Sequence, residues 1–302
     1  DTDWLFVVDL FTPAGYVVAG VYAVGWLRGR RDRYHRLGFT VPFTVAAILT
    51  PVQFVLGDNI ARQVFLKQPI KFAALELVWD TDTHVPEYLF GRLQEDGTVK
   101  GGIKIPLLDS ILAGKSPDTK VTGLSSVPAS DRPTATQATI AHWAFDIMAL
   151  VGSALILLAL WYAWCWWRHR DLPKSPWFFR CAALSGVASV VTVECGWIST
   201  EVGRQPWIVY QNMRVSEAVT PTSASALWAV FGLVVVVYLL VFGSLLGVVL
   251  KMSGRWRLAD AASGPGPAGA PADDPEADTP YGPRPEPAGA APGDHRAPGS
   301  EQ

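Results

Sequence analysis

Residues 226–250 read ALWAVFGLVVVVYLLVFGSLLGVVL, a stretch without one charged side chain. A bilayer core needs about 20 predominantly apolar residues to be crossed by a helix. A soluble helix of that length would present a polar face, and this one has none. Four further segments reach crossing length: Trp4–Leu27, Leu37–Gly57, Thr139–Trp167 and Phe178–Thr200. Asp9 and Asp146 interrupt the first and third, so their boundaries are softer. The expected fold is an all-α integral membrane protein, with five transmembrane helices in a bundle, one long outer loop and a disordered cytoplasmic tail.

Composition agrees. Half of the 302 residues are hydrophobic, only 17% are charged, and 13 are tryptophan, against about 25% charged in soluble domains. The formal net charge of -2 by itself argues neither for nor against nucleic acid. The spans make the lipid bilayer the expected partner, with no nucleic acid. Arg28, Arg30, Arg31, Arg33 and Arg36 follow the first span. Arg168, Arg170, Lys174 and Arg180 follow the third, and Lys251, Arg255 and Arg257 follow the fifth. With alternating spans all three clusters share one side, and short basic loops stay cytoplasmic. The connection over residues 58–137 and the loop over 201–225 are then expected outside. Cys165, Cys181 and Cys195 lie in or beside spans in an odd number and imply no disulfide framework.

Four regions follow from this pattern: two spans in 1–57, an outer loop in 58–138, three spans in 139–257 and a tail in 258–302. The loop is expected to hold short helices near its start and irregular structure beyond, since loops of this length are functional or disordered. The tail is rich in Pro, Gly, Ala and acids, cannot bury enough surface to fold, and contains His295. The chain opens at Asp1 without a signal-peptide pattern, which suggests an N-terminal part lies upstream.

Chemistry concentrates in the fourth span and the loop after it. Glu194 stands inside an apolar stretch, where an ionisable group costs at least a few kcal/mol unless paired or bound. Either a metal or haem iron partners it, or a protonated carboxyl bonds to a neighbouring helix. Glu201 follows two helical turns later and could face the same side. Arg204 can neutralise a carboxylate, reach a propionate or anchor at lipid headgroups. In the outer loop Lys71 and Glu76 are five residues apart, about 140° around a helix, so they form no i,i+4 pair. Met148 is either core filler or a thioether ligand. His142 and Asp146 share a helix face and read as a hydrogen-bonded pair near the outer membrane edge. Asp9 has no evident motif.

Gly203-Arg204-Gln205-Pro206-Trp207, with a Glu and a Trp upstream, resembles the signature of subunit I of the cytochrome bd quinol oxidases. Gln68-Pro69-Ile70-Lys71-Phe72-Ala73-Ala74-Leu75-Glu76 resembles that family's quinol-binding loop, approached through Pro51, Gln53, Gly57 and Asp58. Phe145-Asp146-Ile147-Met148 fits its Phe-x-x-Met pattern. The resemblance covers about Gly15 to Leu250 and the last five of nine spans. It implies a quinol:oxygen oxidoreductase of the aerobic respiratory chain in a bacterial cell membrane. By the same resemblance Met148 ligates a low-spin haem b, and Glu194 is an axial ligand to one of two high-spin haems, haem b and haem d. Arg204 then lies near a propionate or carboxylate, and Lys71 and Glu76 serve quinol oxidation. The implied partners are quinol, oxygen, subunit II, a small accessory membrane subunit and a missing N-terminal portion. Asp146 departs from the family's Arg beside that Phe, and no His precedes His35 to pair with Met148. Two rival classes remain at this point: a haem-b anchor of a quinone-linked dehydrogenase, and a haem-free transporter with Glu194 on an ion path.

Overall fold

The computed structural model describes residues 2–219 and 221–262, with side chains described for 8–219 and 221–252. The chain divides into two units, 1–221 and 222–302. Among the described residues, five helices are long and apolar enough to cross a membrane.

In the first unit α1 (Thr2–Leu27), α2 (Arg33–Lys67), α5 (Ala135–His169) and α6 (Pro176–Gly203) close into a ring, each packing on two neighbours. The buried faces repeat at helical spacing: Val8, Thr12, Tyr16, Ala19 and Ala23 on α1, and Phe39, Phe43, Ala46 and Thr50 on α2. Lipid tails are as apolar as leucine, so close packing holds such helices together. Gly186 shows how close. A Cβ built there would lie 2.9 Å from Val17 Cα, and one on Gly15 would lie 2.8 Å from the Pro42 carbonyl oxygen. Phe39 stacks on Phe43 at 5.0 Å, and Tyr162 meets Phe43 at 4.9 Å. Their core is completed by Phe178 and Phe179. The hydroxyls buried among these rings are paired, Tyr16 with Thr50 and Tyr162 with Thr44, each at 2.7 Å.

The expected boundaries shift at several points. Helix α2 runs ten residues beyond Gly57, supported by the Arg62–Asp58 ion pair one turn apart at 3.0 Å. The loop therefore spans residues 68–134. Helix α5 starts earlier than expected because Thr134 and Gln137 form a reciprocal capping box. The loop is also more ordered than expected. After α3 (Pro69–Leu75), strands β1 (Glu87–Leu89) and β4 (Ile103–Ile105) pair antiparallel. Between them β2 (Arg92–Leu93) pairs with β3 (Val99–Lys100), and α4 (Leu108–Gly114) follows. The irregular structure expected there overlooked a local signal: Asp96-Gly97 is a hairpin dipeptide, with Gly97 at φ +83° and the Asp96 carboxylate accepting from Thr98 N. Ile70, Phe72, Val78, Val121 and Leu124 give the loop its own apolar core.

Arg36 at the start of α2 bonds Asp171 after α5 at 2.7 Å, so the first two basic loops lie at one end. The loop over 68–134 and the segment after α6 meet at the other end, where Trp207 Nε1 donates to the Asp131 carbonyl. After α6 come β5 (Trp207–Val209) and β6 (Met213–Arg214), which pair antiparallel.

The five spans expected from the sequence are present among the described residues; four form the ring of the first unit, and the fifth, α7 (Ala224–Ala262), belongs to the second unit. Its described side chains are all exposed, an apolar surface on every side. The expected disordered tail gives way to helix as far as Ala262; residues 263–302, His295 among them, lie outside the described residues.

Candidate functional site

Two adjoining sites occupy the end of the ring that carries the long loop. The first is a cleft lined by Gln68, Lys71, Pro133, Arg204, Trp207 and Tyr210. It unites the start of α3 with the Gly-Arg-Gln-Pro-Trp segment. The Lys71 stem passes Gly203, whose added Cβ would lie 3.8 Å from Lys71 Cε. Partial burial, then the neighbouring Arg204 charge, holds the Lys71 ammonium below the ordinary lysine range, with Glu201 acting against them. Arg204 Nη2 is fixed by Glu201 Oε1 at 2.9 Å, one turn back.

Glu76 does not share this cleft. It caps the C-terminal end of α3 and turns into the protein, 5% exposed. There it meets Glu87 from β1, Asp109 from the first turn of α4, and the α5 pair His142 and Asp146. All five are buried, and Asp109 and His142 have no exposure at all. The expected His142–Asp146 pair is present at 3.2 Å, but it belongs to this larger cluster. His142 Nδ1 lies 2.6 Å from the Leu75 carbonyl oxygen, and Nε2 lies 2.6 Å from that of Tyr88. The ring thereby pins the backbone next to Glu76 and next to Glu87. Asp146 accepts from Phe90 N at 2.6 Å, and Ser110 Oγ accepts from Val85 N at 2.9 Å. Burial first, then the Glu87 charge, pushes the Glu76 carboxyl well above the usual carboxylate range. Asp109 is raised likewise, by burial and then by the Glu76 charge.

Glu87 and Asp109 are the residues that sequence reasoning missed. No spacing links them to each other or to Glu76; only the nested hairpin and α4 bring them together. The one local hint is that each carboxylate follows an apolar or proline neighbour in a loop core.

The haem ligands expected from the resemblance lie farther along the spans. Met148 is about 20 Å along α5 from its start, and Glu194 about 14 Å along α6 from its end. Their side chains take different faces. Met148 Sδ sits against α6, where a Cβ on Gly196 would come within 3.1 Å. Glu194 was expected to be buried and is exposed, on a face shared with Val187, Val191, Trp197 and Glu201. The reason is the helix phase: Ser189, Cys195 and Ser199 take the buried positions of α6. Glu194 makes no ion pair or hydrogen bond with another described side chain. Asp9, unassigned by sequence, accepts a hydrogen bond from Gln53 Nε2 across α1 and α2.

Residues 5–255 match the family model described as cytochrome bd terminal oxidase subunit I. A putative cytochrome bd menaquinol oxidase subunit I of Bacillus subtilis (strain 168) is 29% identical over 250 residues, 78% of this chain and 55% of that protein. A cytochrome bd ubiquinol oxidase subunit 1 of the same organism is 27% identical over 236 residues, 74% of this chain and 50% of the relative. Among solved structures, the bd oxidase from Geobacillus thermodenitrificans superposes with a TM-score of 0.68 at 31% identity. That match covers 83% of this chain and 57% of the other. The chain spans about half the length of the curated relatives it matches.

Proposed function

The chain belongs to the cytochrome bd terminal oxidase subunit I family, and on that premise we propose that it works in a quinol:oxygen oxidoreductase of a bacterial cell membrane. The observation that carries the reading is the cleft: Lys71 and Arg204, from two motifs 133 positions apart, line one opening. Trp207 and Tyr210 give it an aromatic wall for a quinol ring. Lys71 is a donor to a quinol oxygen, and partial burial strengthens that hydrogen bond by lowering the local dielectric. Oxidation of a quinol releases two protons with its electrons. Glu76, at the far end of the same short helix, is the carboxylate we assign to proton uptake, and its burial raises its affinity for a proton.

The cofactors this reading requires are a low-spin haem b, a high-spin haem b and haem d. The donor set fits them. Met148 offers a thioether with a glycine opposite, where a larger residue would crowd the sulfur. Glu194 offers a carboxylate on an outward face, without a hydrogen bond or ion pair to another described side chain, as a ligand for a group held partly by other chains would be. Arg204, already carboxylate-bound, can reach a propionate. Bound haem iron supplies one-electron transfer from quinol towards oxygen. The outward apolar faces of α6 and α7 suit further membrane segments: subunit II, a small accessory subunit and an N-terminal portion of subunit I. We place the basic loops in the cytoplasm and the loop over 68–134 outside, by the positive-inside rule.

Two electron donors test the assignment in the assembled oxidase. Glu76→Ala should slow quinol oxidation by about 10²–10⁴-fold, and Lys71→Ala should act mainly on quinol affinity. An artificial donor that reduces the haems directly should support oxygen reduction in both variants. Equal loss with both donors would move the defect to the haems and refute the loop assignment.

A further inference from the structure

We propose that Glu76, Glu87 and Asp109 form a binding site for one hard divalent cation, of the Ca²⁺ or Mn²⁺ kind, inside the outer loop. Four carboxyl groups converge here, counting Asp146, and among the described residues no lysine or arginine pairs with any of them. Among the described residues His142 is the one ionisable nitrogen beside them, so carboxyls ionised together would leave a large uncompensated negative charge in a buried place. Buried charge of that kind is paired or coordinates metal.

The hydrogen-bond pattern points to coordination. Glu76 Oε2, Glu87 Oε1 and both carboxyl oxygens of Asp109 are buried with no hydrogen-bond partner among the described residues other than one another's carboxyls. Their side chains are 5%, 4% and 0% exposed. Ligand atoms of Glu76, Glu87 and His142 all lie within 4.8 Å of one another. Oxygens about 2.3–2.6 Å from a central Ca²⁺ are separated by no more than roughly 5 Å, a limit the Glu76–Glu87 pair meets, and Asp109 lies within side-chain hydrogen-bonding reach of Glu87. His142 spends both ring nitrogens on carbonyl oxygens, so it orients the carboxylates and leaves an all-oxygen set. That set favours a hard cation over Zn²⁺, which is bound mainly by nitrogen and sulfur.

The ligands come from α3, β1 and α4, three segments otherwise joined by short strands and a small core. A cation would tie them into one body. It would also hold Glu76 ionised and unavailable to a proton, so that occupancy slows quinol oxidation; this second consequence rests on the quinol reading, whereas binding does not.

The test uses the assembled oxidase, stripped with chelator and titrated with Mn²⁺ alone, with free Mn²⁺ read by electron paramagnetic resonance. One site per subunit is expected, displaced by Ca²⁺ and weakened at least about tenfold by Asp109→Asn or Glu87→Gln. Lys71→Ala, which disables the quinol cleft, should leave Mn²⁺ binding unchanged, so failure of the quinol reading would be seen separately. In the unsubstituted protein, chelator should speed proteolysis of the loop over 68–134 and Ca²⁺ should reverse it. Absence of a stoichiometric site, or a site indifferent to both carboxylate substitutions, overturns the proposal in favour of protons shared among the carboxyls.

Discussion

Replacing His142 with leucine puts a side chain of comparable bulk into a position with no solvent exposure, so packing alone changes little. What changes is polar. The carbonyls of Leu75 and Tyr88 each lose a partner now 2.6 Å away, and the leucine that fills the ring's place offers them no other donor. A buried acceptor left unsatisfied costs about 1–3 kcal/mol, so the two together cost about 2–6 kcal/mol. The cost falls on the attachment of the loop to α5, because both carbonyls belong to the loop and the ring belongs to the helix. At 1.4 kcal/mol per decade, even the lower figure raises the open population of the loop about thirtyfold. Where opening and closing are fast beside cleavage, proteolysis tracks that population. The assay is limited proteolysis of the assembled oxidase, following cuts within 68–134, with the α-helical circular dichroism as the control for an intact membrane part. His142→Gln, whose amide can serve one carbonyl and not both, should fall between. A cleavage rate within threefold of the unsubstituted protein would refute the claim that this ring clamps the loop.

Three further outcomes are expected. Met148→Leu conserves volume and should cost less than about 1.5 kcal/mol, yet the low-spin haem spectrum should be lost or become five-coordinate; an unchanged spectrum would make Met148 a packing residue. Glu194→Ala should remove one high-spin haem by pyridine haemochrome analysis while leaving the fold intact, whereas loss of that haem on Glu201→Ala alone would transfer the ligand role two turns along the same face. Because burial and Arg204 lower the Lys71 pKa from its ordinary 10.5, the ammonium is lost as pH rises through a value below 10.5. KM for quinol should therefore climb on that alkaline limb, and Lys71→Arg, whose guanidinium stays charged, should flatten it; a limb that persists in Lys71→Arg assigns the titration elsewhere.

Membrane class, the number of spans and the common end of the first two basic loops were legible in the sequence because each rests on local composition. An uncharged stretch such as 226–250 has one tolerable environment, and arginines beside a span have one favoured side. Lys71 and Arg204 stood out for a similar reason, each within a contiguous motif. The order within the loop was half legible: Asp96-Gly97 marks a hairpin turn, while the pairing of β1 with β4 depends on contacts fourteen or more residues apart. What tertiary structure alone decided is which way each carboxylate points. Glu194 and Cys195 are neighbours in sequence, yet one faces out and the other in, because the phase of α6 is set by its packing on α1 and α5. Lys71 and Glu76 share one short helix but serve different sites, since the loop folds over only one of its faces. Glu87 and Asp109, without a motif of their own, acquire meaning only when β1 and α4 carry them to His142. Low dielectric then makes their charge the dominant local term, a consequence of burial that no spacing in the chain encodes.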